Sequence, residues 1–90
     1  MLFMDIMTWD KKDDREVVER YAGWKYPEGY NVVSVWTDLS SCRVFIIYDI
    51  NNGEDYAAAA FPWRNLIDCE TIPLMETPKA MEIYAKVLAQ

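Results

Sequence analysis

Histidine is absent from the chain, and with it goes the side chain used most often for zinc and haem ligation and for proton transfer near neutral pH. Cysteine is scarce too: Cys42 and Cys69 stand 27 positions apart and belong to no C-x-x-C or Cys/His array. Only carboxylates are left to hold a magnesium or calcium ion, and no D-x-D-x-D-G loop is present. No metal and no cofactor is therefore expected. Basic residues are the next shortage. Nine Lys and Arg face fifteen Asp and Glu, a net charge of −6, which repels polyanions and provides no basic stripe for a phosphate backbone. Nucleic acid is not an expected partner. Long apolar runs are also missing. Asp5 interrupts Met1-Leu2-Phe3-Met4, no basic region flanks it, and no run approaches a membrane span. The expected location is cytoplasmic, with no membrane partner.

What the chain does have is aromatic and apolar mass. Apolar residues make up 52% of 90 positions, with four Trp, six Tyr and three Phe. Ninety residues suit one domain with a thin core, so surplus apolar surface is expected to seek a partner or a ligand. The segment Cys42-Arg43-Val44-Phe45-Ile46-Ile47-Tyr48-Asp49-Ile50 carries large apolar side chains on both parities of a strand. A helix layer can cover one such face. The other needs something else.

Periodicity and turn residues divide the chain. Leu2 to Trp9 reads as a strand, followed by the polar stretch Asp10 to Asp14. Asp13 with Glu16 forms a capping-box pattern for a helix whose apolar stripe is Val17, Val18, Tyr21 and Trp24, and Gly23 and Pro27 mark its end. Tyr30–Asp38 and Cys42–Ile50 are expected to form a hairpin turning at Ser40-Ser41, which pairs Asp38 with Arg43, Thr37 with Val44 and Trp36 with Phe45. Asn52 can cap a second helix through the alanine run 57–60, which Pro62 ends. The small alanines let that helix lie close to the sheet or leave a pocket. Ile67 to Met75 is a strand that Pro73 confines to a sheet edge. Thr77-Pro78 then opens a last helix through Leu88.

This order predicts an α+β, ferredoxin-like βαββαβ antiparallel sheet, strand order 4-1-3-2, with helices on one face and an extra C-terminal helix, in one domain over residues 1–90. Counting across the hairpin puts Val33, Val35, Val44 and Ile46 under the helices, with Met4 and Ile6 beside them. Trp36, Phe45 and Ile47 go to the open face, joined by Phe3, Met7 and Trp9 if Asp5 points that way. An open apolar face of that size predicts a homodimer packed sheet to sheet with a cavity between the sheets.

Two polar residues interrupt the apolar pattern. Arg43 has Asp38 as an ordinary partner across the hairpin, or it sits at a cavity mouth and binds an anion through its guanidinium. Asp5 lies between Met4 and Ile6. It is the candidate catalytic base; its other readings are a carboxylate paired to a second subunit or solvated at the cavity mouth. Trp9, Trp36, Arg43 and Phe45 are the candidate ligand-binding residues, for a small apolar or anionic molecule. Trp63, after Pro62, is read as packing under the second helix or as a lid. Cys42 and Cys69 fall on strands too far apart for a disulfide and are expected to be free thiols.

Related ferredoxin-like activities lack their signatures. The third strand has no glycines of an RNA-binding motif, and the loop Asp10-Lys11-Lys12-Asp13 has neither an acylphosphatase-like Arg nor a metal-carrying C-x-x-C. Six groups of residues form a recognisable set: Met1-Leu2-Phe3-Met4 with Met7-Thr8-Trp9, Tyr26-Pro27-Glu28-Gly29, Val35-Trp36-Thr37-Asp38, Arg43-Val44-Phe45, Pro62-Trp63 and Pro73-Leu74-Met75-Glu76-Thr77. Through them the chain resembles, over nearly its whole length, a family of short prokaryotic proteins, domain-of-unknown-function family 3303. The resemblance implies a ferredoxin-like domain of the dimeric α/β-barrel type and brings no catalytic residues. Two functions stay open: a homodimeric small-ligand-binding or interaction module, and a cofactor-independent monooxygenase or isomerase using Asp5 as base.

Overall fold

Four strands and three helices follow one another in the order β1 (Leu2–Thr8), α1 (Asp14–Ala22), β2 (Asn31–Asp38), β3 (Arg43–Asp49), α2 (Gly53–Ala60), β4 (Asp68–Leu74) and α3 (Thr77–Leu88). The computed structural model describes residues 1–90. All strand pairs are antiparallel in the spatial order β2-β3-β1-β4, the ferredoxin-like arrangement that the sequence predicts. Pro73 sits on β4, an edge, where its missing N–H disrupts no second ladder. The β2–β3 hairpin also closes as counted, with Asp38 opposite Arg43, Thr37 opposite Val44 and Trp36 opposite Phe45.

Three local features differ from the sequence reading. Asp13 makes no side-chain cap, because a 3-10 turn at Lys11–Asp13 precedes α1 and Asp10 caps that turn by accepting from the Lys12 N–H at 2.9 Å. At α3 the N-cap is Glu76, without a side-chain bond, so Thr77 and Pro78 lie inside the first turn. In β2 the register shifts between Val32 and Ser34, which leaves Val33 as the extra residue of a bulge and 64% exposed instead of under the helices. Asn52 does cap α2, accepting from the Asp55 N–H at 3.0 Å. The turn before β2 depends on Gly29. Its φ is +92°, and a Cβ there would lie 2.5 Å from the Asp55 carboxylate, so only glycine lets the chain pass α2 so closely.

The register of β1 corrects the face assignment. Phe3 pairs with Tyr48, Asp5 with Ile46 and Met7 with Val44, so these three join the helix-covered face and not the open one. Met4 opposite Ile47 and Ile6 opposite Phe45 go to the open face. β1 is apolar on both parities, so hydrophobic alternation cannot choose between them.

The buried core is small for a chain of this length. Tyr30, Ile46, Tyr48, Ile50 and Ala59 form one cluster, with Phe3, Met7, Tyr26, Val44 and Tyr56 packed against it. Of the two alternatives for the alanine run, the pocket is the one seen: Ala59 joins the core cluster, but α2 stands off the strands and Ala59 and Ala60 line the space beneath it. The helix α3 lies outside this packing altogether. It buries no residue, and Met81, Ile83, Tyr84, Val87 and Leu88 are exposed along it. The radius of gyration is 15.8 Å and the longest dimension 52 Å, against about 12 Å for the radius of a compact chain of this length. No helix is long and apolar enough to cross a membrane.

Candidate functional site

Asp5 stands in the middle of β1 and is only 2% exposed. Burying a carboxylate is costly unless donors replace its water, and its neighbours in the sheet and the loop before β2 supply them. Tyr48, on β3, donates to Oδ1 at 2.7 Å, and Thr71, opposite Asp5 on β4, donates to the same oxygen at 2.9 Å. Tyr30 reaches Oδ2 at 3.4 Å. Thr71 gives its one hydroxyl proton to Asp5, so the 2.9 Å contact between Tyr56 Oη and Thr71 Oγ1 has Tyr56 as donor. The result is a buried carboxylate held by hydroxyls from three separate segments of chain. No buried side-chain polar atom lacks a partner.

The two tyrosine hydroxyls act as donors to Asp5. Burial first, and then the charge of Asp5, push the Tyr30 hydroxyl far above its ordinary value of 10.0. Burial followed by the hydrogen bond to Asp5 does the same for Tyr48. Each tyrosine is therefore ionised in the unfolded chain at a pH where it is still protonated in the folded one. Stability is full below pH 10 and falls above it, by about 1.4 kcal/mol per pH unit for each tyrosine. Absorbance titration at the phenolate band should show these two tyrosines ionising only with loss of the folded circular-dichroism signal. Their smooth ionisation near pH 10 in folded protein would contradict the burial.

An aromatic stack leads away from the carboxylate. Tyr48 and Tyr30 lie face to face at 4.3 Å between ring centres, and Tyr30 and Tyr26 at 5.4 Å with parallel planes. Tyr26 then meets Trp24 edge-on at 6.1 Å, and Trp24 meets Trp63 edge-on at 5.5 Å. The hydroxyls of Tyr21 and Tyr26 are 2.8 Å apart. Trp63 is buried in a 3-10 turn at the end of α2, in the packing role expected for it. Arg20 of α1 holds that turn: it donates to the Pro62 carbonyl at 2.8 Å and to Asn65 Oδ1 at 3.1 Å, and its guanidinium lies over the Trp63 ring.

Between the sheet and the helices α1 and α2 these side chains border a partly open cavity of about 850 Å³, mostly apolar in its lining, with Asp5 among its walls. Trp9 is part of that lining and donates through Nε1 to Asp14 at 2.8 Å. Trp36, Arg43 and Phe45 are not part of it. They lie on the opposite face of the sheet, where Trp36 is 65% exposed and Arg43 donates to Asp38 through Nε at 3.2 Å and Nη2 at 3.0 Å while lying over Phe45. The five residues singled out in the sequence therefore divide between two faces, Asp5 and Trp9 on one and the other three on the second.

The chain belongs to the DUF3303 family. Its family model, a domain of unknown function, matches residues 1–88, so the match spans the sheet, the cavity and α3 alike. No curated protein matches the sequence. For this DUF3303 domain the chemistry must be read from the cavity itself. Cys69 is free, and its thiol is pushed above its ordinary value, first by desolvation and then by Asp5. Cys42 is also free and is likewise pushed up by desolvation and by Asp14. Neither thiol is activated as a nucleophile. No group of three or more Cys, Asp or Glu side chains is placed to hold a metal ion.

Several residues that build the site escaped the sequence reading. Tyr26, Tyr30, Tyr48, Tyr56 and Thr71 come from four different segments, and only the tertiary fold brings their hydroxyls to Asp5 or stacks their rings. The one local signal was the density of aromatics at positions 21, 24, 26 and 30, more than a helix end and a turn require.

Proposed function

We propose that this DUF3303 domain is a small-ligand-binding module whose site is the cavity beneath α1 and α2. One observation carries the reading: a large apolar cavity in which a buried carboxylate, fixed by hydroxyl donors, is the one deeply buried charge. A few placed polar groups in an otherwise apolar cleft is the usual composition of a small-molecule site. The protein can otherwise ill spare the space, since a thin core gains most from filling it.

We further propose that the domain is a homodimer. Met4, Ile6, Phe45, Ile47 and Trp36 make one continuous apolar surface on the open sheet face, and α3 presents a second apolar surface with no cover in its own chain. Sheet faces and helix stripes are stable when buried against another layer, and a second copy supplies both. A catalytic use of the cavity, as a cofactor-independent monooxygenase or isomerase, rests on Asp5 alone as the base.

Native mass spectrometry of the full chain, purified without denaturant, tests both proposals. The expected spectrum is a dimer, with a small-molecule adduct that gentle activation removes. A bare monomer at micromolar concentration would overturn the dimer and withdraw support for a retained ligand.

A further inference from the structure

We infer that the cavity takes an apolar amine, an aryl- or alkylammonium whose nitrogen donates to Asp5 Oδ2. The inference rests on the ligand-binding reading above and names the class of ligand. The two carboxylate oxygens differ in what they have left to offer. Oδ1 accepts two short hydrogen bonds, from Tyr48 at 2.7 Å and Thr71 at 2.9 Å. Oδ2 accepts only the 3.4 Å contact from Tyr30. An ionised carboxylate has roughly four acceptor positions, and a contact of 3.4 Å is at the weak end of hydrogen bonding. Strong acceptor capacity therefore remains on Oδ2. Position agrees with capacity: Tyr30, the partner of Oδ2, lines the cavity, whereas Tyr48 and Thr71, the partners of Oδ1, do not. The under-used oxygen is the one whose hydrogen-bond partner lines the cavity.

Charge selects among possible donors. The cavity wall carries Asp5, Asp14, Asp38 and Asp68 against a single basic residue, Arg64. Asp38 is paired with Arg43, which leaves Asp5, Asp14 and Asp68 in the wall against one cation, Arg64, whose guanidinium lies over the Phe61 ring. An anionic ligand would meet uncompensated negative charge there. A cation meets a carboxylate with an open acceptor position, in a space whose walls include Tyr21, Trp24, Tyr26, Tyr30 and Trp63. Tyrosine and tryptophan faces attract ammonium groups, and a charge-assisted N–H···O bond is stronger than a neutral one. The rest of the ligand is apolar because the rest of the wall is.

Isothermal titration calorimetry on the full-length protein with phenethylamine, 2-phenylethanol and 3-phenylpropionate separates the terms, since the three probes share the aryl-ethyl unit and differ in charge. The expected order is amine tightest, at least tenfold over the alcohol, with the carboxylate weakest. In Asp5→Asn the amine should lose that tenfold advantage while the alcohol changes less than twofold. The wild-type ranking alone decides the matter if the variant does not fold. Equal or tighter binding of the carboxylate or the alcohol to wild type overturns the amine assignment and leaves the ligand-binding reading standing. No heat from any of the three at millimolar concentration overturns the assignment and counts against that reading as well.

Discussion

Asp5→Ala should lower the unfolding free energy by about 3–5 kcal/mol, the largest effect expected of any polar substitution in the chain. The alanine itself is not the cause. Three hydroxyls, from Tyr48, Tyr30 and Thr71, lose their acceptor at once, and Tyr48 is fully buried with Tyr30 5% exposed, so water reaches them poorly. Each stranded buried donor costs roughly 1–3 kcal/mol, and the partly accessible Thr71 keeps the total below the simple sum. In thermal unfolding the loss amounts to about 15 °C or more for a domain of this size. The mechanism predicts its own rescue. Adding Tyr48→Phe and Thr71→Val removes two of the three stranded donors and should recover part of the loss, since only the Tyr30 hydroxyl then stays orphaned in the interior while Tyr56, which loses Thr71 as acceptor, does so at the exposed end of the site. If the triple variant is no more stable than Asp5→Ala alone, the hydroxyls are not the source of the cost. Equilibrium urea unfolding, followed by far-ultraviolet circular dichroism, measures both steps.

Trp63→Ala is expected to cost a similar amount, about 3–5 kcal/mol, by a different route. The indole is 7% exposed and touches Tyr21 and Trp24, while Arg20 lies across its face. Its removal enlarges a space that is already open, and Tyr21 and Trp24 lose their contacts with the indole. Arg20 loses its aromatic platform, although its bonds to Pro62 and Asn65 remain. Because Trp63 joins α1 to the end of α2, the substitution should also loosen the turn at Phe61–Trp63. Hydrogen exchange should show faster exchange at the Leu66 and Ile67 amides, both of which donate to the Trp63 carbonyl. A loss under 1 kcal/mol by chemical denaturation would mean that the cavity wall does not depend on this ring.

The sheet was legible because its signals are local. Tight turns, the proline in β4 and alternation along β2 and β3 are each decided within a few residues, and together they give strand order and hairpin register. The bulge at Val33 was not, because two consecutive valines, Val32 and Val33, carry no sign of which one lies outside the pairing. The site was legible only in one residue. Asp5 stood out as a charge inside an apolar strand, but its hydroxyl partners lie 25, 43 and 66 positions away, and nothing near Tyr48 or Thr71 announces that they face it. Arg43, Phe45 and Trp36 stood out for a different reason: they occupy the open face of the sheet, which no helix of the chain covers.

The hydroxyl cage around Asp5 also settles a question of alignment. β1 runs between β3 and β4 with apolar side chains on both parities, and such a strand can slide by one residue without exposing much more apolar surface than before. A slip of that kind would carry Asp5 to the opposite face, among Phe45, Ile47 and Trp36, where no hydroxyl waits for it. The native pairing is therefore preferred over its nearest competitor by the cost of an unpaired carboxylate, and one aspartate gives the central strand the specificity that its hydrophobic pattern lacks.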